Sequence, residues 1–374
     1  MDSVENKRKR VITSLKDRRE PDRVPLTDFY WSDFYRNWLH ALSLPPDTDI
    51  YEYYDLDIKL VNPNMDPRVE SCRIIEETPE YVVFKSGFGC TVKKVFSSPM
   101  PMFLDFEVKS AEEYRNFVFE NPKDKRRYFE KRCDILNNGD SFGTLPSYYE
   151  VLEENQSKFA IFGSVCEPHE TMWRIRGTEG LLMDLAEKPD LVKAFADRCT
   201  DFMLGIAERQ TEFADLTGMI IWGDVAYDKG MFFSPRTWWD IYFPCVKRLC
   251  DYIHSQGLLA VYHGCGRSLD IFEGFIEAGV DVYNPLEAKA GMDPVELKKQ
   301  YGDRIAFYGG LDMRLLGEGS WEKIEEEVLY KLKAAKGGGY MPSSDHSVAS
   351  NVDPLHYDKM MRLLKEKGRY PLTI

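Results

Sequence analysis

A histidine and a cysteine one residue apart, His263 and Cys265 in the run YHGCG, are the side-chain pair in this chain best suited to hold a zinc ion. They sit at the end of an apolar run, 258–263. An imidazole and a thiol are thereby placed on one rim, and the adjoining glycines permit a tight turn. The spacing alone equally allows a histidine hydrogen-bonded in the interior and a packed thiol. A third ligand has to come from another strand, and His346, which follows the apolar stretch 338–342 in PSSDH, is the candidate, with a capping or core histidine as the alternative. Asp224 ends the run IIWGD. A carboxylate there can bind substrate, move a proton or ligate a metal; a salt bridge or a loop cap is the structural alternative.

These residues need a frame that brings distant strand ends together. Apolar, β-branched runs at 24–29, 57–61, 159–165, 219–224, 258–263, 280–284, 304–309 and 338–342 read as eight buried parallel strands. Helical patterns at 181–213, 237–256, 269–278, 294–301 and 321–336 separate the later ones. Strand and helix in alternation demand a parallel sheet, and eight repeats favour closure into a (β/α)8 TIM barrel. Residues 73–77 and 81–85 alternate around Thr78-Pro79-Glu80 and predict a hairpin, with SGFGCT turning into another strand and charged helices over 109–140. The whole chain, 1–374, is read as one barrel domain with an N-terminal hairpin and helical cap inserted at about 66–140. Barrels carry their chemistry at the C-terminal strand ends. That rule selects Asp28, Tyr30, Asn62, Asn64, Cys166, Glu167, His169, Asp224, Tyr227, His263, Cys265, Asn284, Glu287, Asp312 and the Ser343–His346 run. Among these, Glu167 and His169 are taken as substrate-binding. Trp31 and Tyr35, in an aromatic cluster whose bland reading is core packing, are expected to line an apolar substrate pocket.

Composition narrows the classes further. A net charge of −13 and a pI near 5.1 repel nucleic acid phosphates, and the single basic run, 7–10, reads as a solvated helix face. No apolar run approaches a membrane span, and the charged N-terminus lacks a secretory pattern, so a cytoplasmic protein is expected. Eight cysteines without a C-x-x-C pair read as reduced, mostly buried thiols. The glycine pairs and triplet at 309–310 and 337–339 suit barrel turns better than a nucleotide cradle.

The opening KRKRVITSLKDRREPDRVPL, the stretch RGTEGLLMDLAEKPDLV, the segment GDVAYDKGMFFSPRTWWDIYFPCVKRL, and YHGCG with GGGYMPSSDHSV resemble the uroporphyrinogen decarboxylase superfamily along almost the whole chain. The resemblance implies the barrel independently. The haem-synthesis decarboxylases of that superfamily carry an arginine-rich segment near the N-terminus; here the region reads VPLTDFYWSDFYRNW, with Arg36 alone. The resemblance is nearer to the branch of cobalamin-dependent methyltransferases, whose zinc is held by His-x-Cys and a later cysteine. His263 and Cys265 match the first two ligands, and His346 stands at the third, with Asp345 beside it as another donor. The implied activity is transfer of a methyl group from a methoxylated aromatic compound to the Co(I) corrinoid of a separate carrier protein. Zinc would be the resident metal, with Asp224, Tyr227 and His346 near the departing oxygen and a homodimer as the expected assembly. A decarboxylase or other lyase of the uroporphyrinogen decarboxylase type, without metal, is the alternative reading, and a non-catalytic corrinoid-protein binding module is a second.

Overall fold

The computed structural model describes residues 2–70, 73–98, 100–134 and 143–374. The first barrel strand, β1 (Ile58–Leu60), is followed by an antiparallel sheet of β2 (Arg73–Glu77), β3 (Tyr81–Lys85), β4 (Cys90–Val95) and β5 (Met102–Phe106), in that order. The short pair β6 (Arg132–Asp134) and β7 (Gly143–Leu145) comes next. The barrel then resumes with β8 (Ala160–Cys166) and β9 (Gly218–Trp222). A two-residue ribbon of β10 (Ala226–Tyr227) and β11 (Gly230–Met231) leads to β12 (Leu259–His263), β13 (Val282–Asn284), β14 (Ala306–Leu311) and β15 (Tyr340–Ser344). The order β1-β8-β9-β12-β13-β14-β15 is parallel throughout, with helices between successive strands, and gives a TIM-barrel-like α/β fold.

Alternation along the strands sorts the core. Ile58, Phe162, Ile220, Val261, Val282, Tyr308 and Met341 fill the barrel interior with Val11 and Leu15 of the N-terminal segment, while Met219 and Ile221 join the outer helix-packed cluster. The expected eighth strand, 24–29, is no ladder strand. Pro25 lacks the N–H a ladder needs, and isolated backbone and side-chain bonds replace the ladder. Asp57 N–H donates to the Leu26 carbonyl (2.7 Å) and Thr27 Oγ1 to the Ile58 carbonyl (2.9 Å) on the β1 side. On the β15 side, Ser344 Oγ donates to Asp28 Oδ2 (2.7 Å) and Ser343 Oγ to Oδ1 (3.2 Å). The segment thus closes the barrel between β15 and β1 through Asp28.

Three further expectations are corrected. The basic run at 7–10 is not a solvated face: Lys7 and Arg10 are buried, Lys7 paired with Asp55 (2.8 Å) and Arg10 with Asp57 (2.5 Å), because the helix Val4–Val11 packs beneath the barrel. The charged region 109–140 does not form long helices. It gives a 3-10 turn (Ala111–Asn116), a single helical turn (Arg126–Phe129) and β6; positions 135–142 of that expectation lie outside the described residues. The pattern over 181–213 is interrupted at Lys188, where Pro189 starts a new helix (Pro189–Phe213) after Thr178–Glu187. Cys90, Cys166, Cys199, Cys245 and Cys250 are buried free thiols and Cys265 is partly exposed; Cys72 and the Cys133 side chain are outside the described set.

Candidate active site

His263 is the last residue of β12, and its ring is packed against Trp222 of β9 (centroids 4.5 Å) and Phe29 (6.4 Å). The amide of Asn284, at the end of β13, fixes it. Asn284 Nδ2 donates to the Tyr308 carbonyl (3.0 Å), so Oδ1 faces His263 and accepts from its Nδ1–H. That leaves the lone pair on Nε2, the arrangement a metal-binding histidine uses. Burial pushes the imidazole down to about 4, so it is neutral at physiological pH. The chain then turns through Gly264, and Cys265 Sγ comes to 3.8 Å from His263 Nε2. Donors around a tetrahedral zinc stand roughly 3.3–3.8 Å apart, so this separation suits a shared ion.

Asp224 completes the floor. Its Oδ1 accepts the Cys265 N–H (2.8 Å), which ties the end of β9 to the β12 turn. Donor atoms of Asp224, His263 and Cys265 all lie within 4.8 Å of one another, and so do those of Cys265, Glu287 and His346. Cys265 is common to both groups. The three ligands expected together, His263, Cys265 and His346, are therefore not gathered in one group: His346 is exposed, beyond the end of β15, and meets Cys265 beside Glu287. Its Nδ1 faces the Ser347 carbonyl (3.3 Å). Glu287 is already engaged by Gly266 N–H (2.7 Å) and Lys289 (3.2 Å). Asp345 is spent on the backbone N–H groups of Ala288 (2.9 Å) and Met313 (3.0 Å), so it is a loop anchor and not a donor toward the floor. A cysteine sulfur, an imidazole and a carboxylate in this proximity fit zinc.

Above the floor lies a cavity of about 390 Å³. Its barrel wall includes Asn62, Cys166, Trp222, Gly223, Asp224 and His263, and the antiparallel sheet roofs it with Phe84, Phe88, Val92 and Phe103. The register explains the roof. Phe84 on β3 faces Val92 on β4, which faces Phe103 on β5, so one face of the sheet is apolar and turned inward. Polar groups interrupt the apolar walls, Arg174 with Glu170 and Asp66 among them. Arg174, on the helix Pro168–Arg176, donates through Nε to Glu170 Oε1 (3.0 Å), and Trp173 Nε1 donates to Glu170 Oε2 (2.8 Å). Burial alone would raise the Glu170 carboxyl, but the Arg174 charge and these donors outweigh it and hold it low. Asp66 Oδ2 accepts Gly87 N–H (2.9 Å), and burial raises its carboxyl against the pull of Arg174, Arg132 and Arg127.

The other expected substrate residues lie elsewhere, each for a local reason. Glu167 is fully buried as the N-cap of the Pro168–Arg176 helix, its Oε1 accepting Glu170 N–H (2.8 Å); burial pushes its carboxyl up to about 8. His169 is buried behind Asp224, its Nδ1 against the Asp224 carbonyl (3.0 Å) and its ring against Tyr242 (5.5 Å). Trp31 starts the helix Ser32–Ala41 and packs on His346 (6.4 Å), outside the cavity wall. Tyr35 turns to the Thr48 carbonyl and Trp38, also outside it. Tyr227 is exposed on the β10–β11 ribbon, stacked on Phe232 (5.8 Å), and takes no part in the wall. Sequence reading missed Arg174, Asp66, Ser86, Phe88 and Trp222. An i,i+4 pair such as Glu170 and Arg174 looks like any solvated helix pair, and SGFGC carries no sign beyond a turn.

Strand-end donors beneath a roofed aromatic cavity define a capped parallel barrel with its working face at the C-terminal strand ends. Residues 100–367 match the family model described as uroporphyrinogen decarboxylase (URO-D), and the chain belongs to that family. Among solved structures it is similar to a methyltransferase from Methanosarcina mazei, at 16% identity and TM-score 0.65, covering 96% of this chain and 98% of that one. It is also similar to a B12-independent methionine synthase from Shewanella sp. W3-18-1, at 10% identity and TM-score 0.46, over 93% of each chain. A search of curated protein sequences returns no match. Among the described residues, no helix is long and apolar enough to cross a membrane.

Proposed function

We propose that this chain is a methyltransferase that moves the methyl group of a methoxylated aromatic compound to the Co(I) corrinoid of a separate carrier protein. The observation that carries the reading is the placement of Asp224, His263 and Cys265 within 4.8 Å of one another as the floor of an aromatic-roofed cavity. Zinc would be held by His263 and Cys265, with His346 as the third ligand from the end of β15; the meeting of His346 with Cys265 supports that role. Such an ion supplies Lewis acidity for an ether oxygen on the floor.

The chain's own residues do the rest. Phe84, Phe88, Phe103 and Trp222 enclose the ring and exclude water. As the methyl carbon bonds to cobalt, the C–O bond breaks and its electron pair stays on the aryl oxygen. An unactivated aryl oxide is a poor leaving group, so charge on that oxygen has to be stabilised in the transition state. Asp224, which burial pushes up to about 6 with Glu170 adding to the rise, is the residue beside the floor that can deliver a proton there. The similarity to a methyltransferase fold is consistent with this chemistry.

A carboxylate-processing lyase is the second reading, favoured by the two arginines in the wall, Arg132 and Arg174. The deciding experiment mixes the purified protein, reduced corrinoid protein and methoxybenzenes and follows methyl-corrinoid formation by absorbance. Formation of methyl-corrinoid with one equivalent of phenol supports the proposal; release of carbon dioxide from carboxylated substrates without methyl transfer overturns it.

A further inference from the structure

The two arginines suggest a binding site for an anion, yet the balance of charges around the cavity says otherwise. Among the described residues, the charged groups facing it are Arg132 and Arg174 against Asp66, Glu170 and Asp224. Each guanidinium has a carboxylate counterpart. Arg174 is tied to Glu170 along one edge, and Asp66 feels Arg174 and Arg132 together. Asp224 is then a surplus negative charge; a divalent ion on the floor, shared with the Cys265 thiolate, would cancel it without leaving any positive charge over. In neither case does a substrate carboxylate find an uncompensated cation, and burying an unpaired charge is costly.

The same groups suit an uncharged polar substituent. Arg174 is tied to Glu170 through Nε and Nη2, and no described residue accepts from its Nη1. Asp66 offers carboxyl oxygens whose one donor among the described residues is Gly87 N–H. The site is held rigidly. A Cβ on Gly87 would lie 2.2 Å from the Arg68 carbonyl oxygen and 2.6 Å from Asp66 Cβ, so the β3–β4 turn sits directly against Asp66. The turn's Phe88 also stacks on the Arg174 guanidinium (5.6 Å). A donor from the barrel helix and an acceptor from the strand-to-cap connection therefore meet in the same apolar enclosure. At about 390 Å³ the space is at the small end of the roughly 300–1,000 Å³ usual for ligand pockets, which suits a single ring.

Resting on the methyltransferase reading above, we infer that the substrate is an uncharged methoxyphenol, its free hydroxyl donating to Asp66 and accepting from Arg174, and that carboxylated methoxyarenes are excluded. The specificity is set on the cap side of the cavity, away from the floor that does the chemistry.

Binding separates this inference from the reaction. Titration calorimetry of the full-length protein at pH 7.5 with 2-methoxyphenol and with 3-methoxybenzoate needs no corrinoid partner. The phenol should bind at least about tenfold more tightly, since about 1.4 kcal/mol is tenfold. Asp66→Asn removes one negative charge and one strong acceptor; it should weaken the phenol and strengthen the benzoate, shrinking their ratio at least tenfold. Arg174→Lys, which keeps the charge but loses the planar donors, should weaken the phenol without admitting the benzoate, and circular dichroism checks both folds. Benzoate preferred by the wild type, binding of neither ligand, or an unchanged ratio in a folded Asp66→Asn protein overturns the inference. Methyl transfer from benzoates but not phenols would sink it while leaving the methyltransferase reading intact. Tight phenol binding without transfer to any corrinoid would do the reverse.

Discussion

His346 is the residue on which the proposed chemistry turns, because it is exposed and weakly tethered where His263 and Cys265 are held. As a zinc ligand, its replacement in His346→Ala should remove metal and methyl transfer together, since two protein ligands bind zinc poorly. His346→Cys should retain zinc and part of the single-turnover transfer, because a thiolate can substitute at the ion. A cysteine variant that keeps its metal and loses all transfer would make His346 a proton donor instead. Asp224→Asn keeps an oxygen for the Cys265 N–H and should fold normally while slowing transfer by about 100-fold to 10,000-fold, the usual loss for a general acid. Melting temperature and initial rate measured together decide it; an unchanged rate assigns Asp224 to the β9–β12 link alone. His263, Cys265 and Asp224, the donors that the structure brings together, could be singled out in the sequence because each follows an apolar strand at the end where barrels carry their chemistry. Glu167 and His169 passed the same filter and are buried caps and braces, since strand-end position does not say which way a side chain turns.

At the scale of elements, the closure of the barrel through 24–29 makes Asp28 a structural hinge pin. Burial pushes its carboxyl up to about 6 from an ordinary 3.8, against donors from Ser344, Tyr357 and Phe29. With the folded value above the unfolded one, the native state holds the extra proton between about pH 4 and pH 6. Stability from this group is therefore greatest below the unfolded value, falls as pH rises through that window, and is flat above it. The loss is about 3 kcal/mol, because each pH unit between the two values is worth roughly 1.4 kcal/mol. Asp28→Asn should lack the decline, so urea unfolding of the two proteins at pH 4 and pH 7 should differ in slope; parallel profiles would refute the assignment. The seven ladder strands were readable from short apolar runs set between helical patterns. The eighth was misread because Val24-Pro25-Leu26 has the right hydropathy, while one proline and one aspartate convert a ladder into side-chain bridges. The basic run at 7–10 misled for a related reason: charge predicts solvent only until Asp55 and Asp57 are brought beneath it.

For the molecule as a whole, the proposed metal and the fold should be separable. The barrel interior of Ile58, Phe162, Ile220, Val261 and Val282 owes nothing to the floor donors, so the purified protein should carry about one zinc per chain, and chelation should abolish transfer while the barrel stays folded. Elemental analysis and circular dichroism test the two halves, and less than about a tenth of an equivalent of zinc with transfer intact would end the zinc mechanism. The order in which the barrel can be assembled follows from where its seams lie. Strands β9 to β15 find their partners a short way along the chain, but Ile58 must reach Ala160 across the inserted sheet, and Asp28 must reach Ser343 and Ser344 at the far end. Pairing over such separations is slow, because the chain loses its freedom before the contacts repay it. On the ribosome the segment 24–29 therefore emerges first and finds its last partner at the end. Until residue 344 is made, the side of segment 24–29 that faces β15 stands without its partner, and the nascent protein carries that open seam through most of its synthesis.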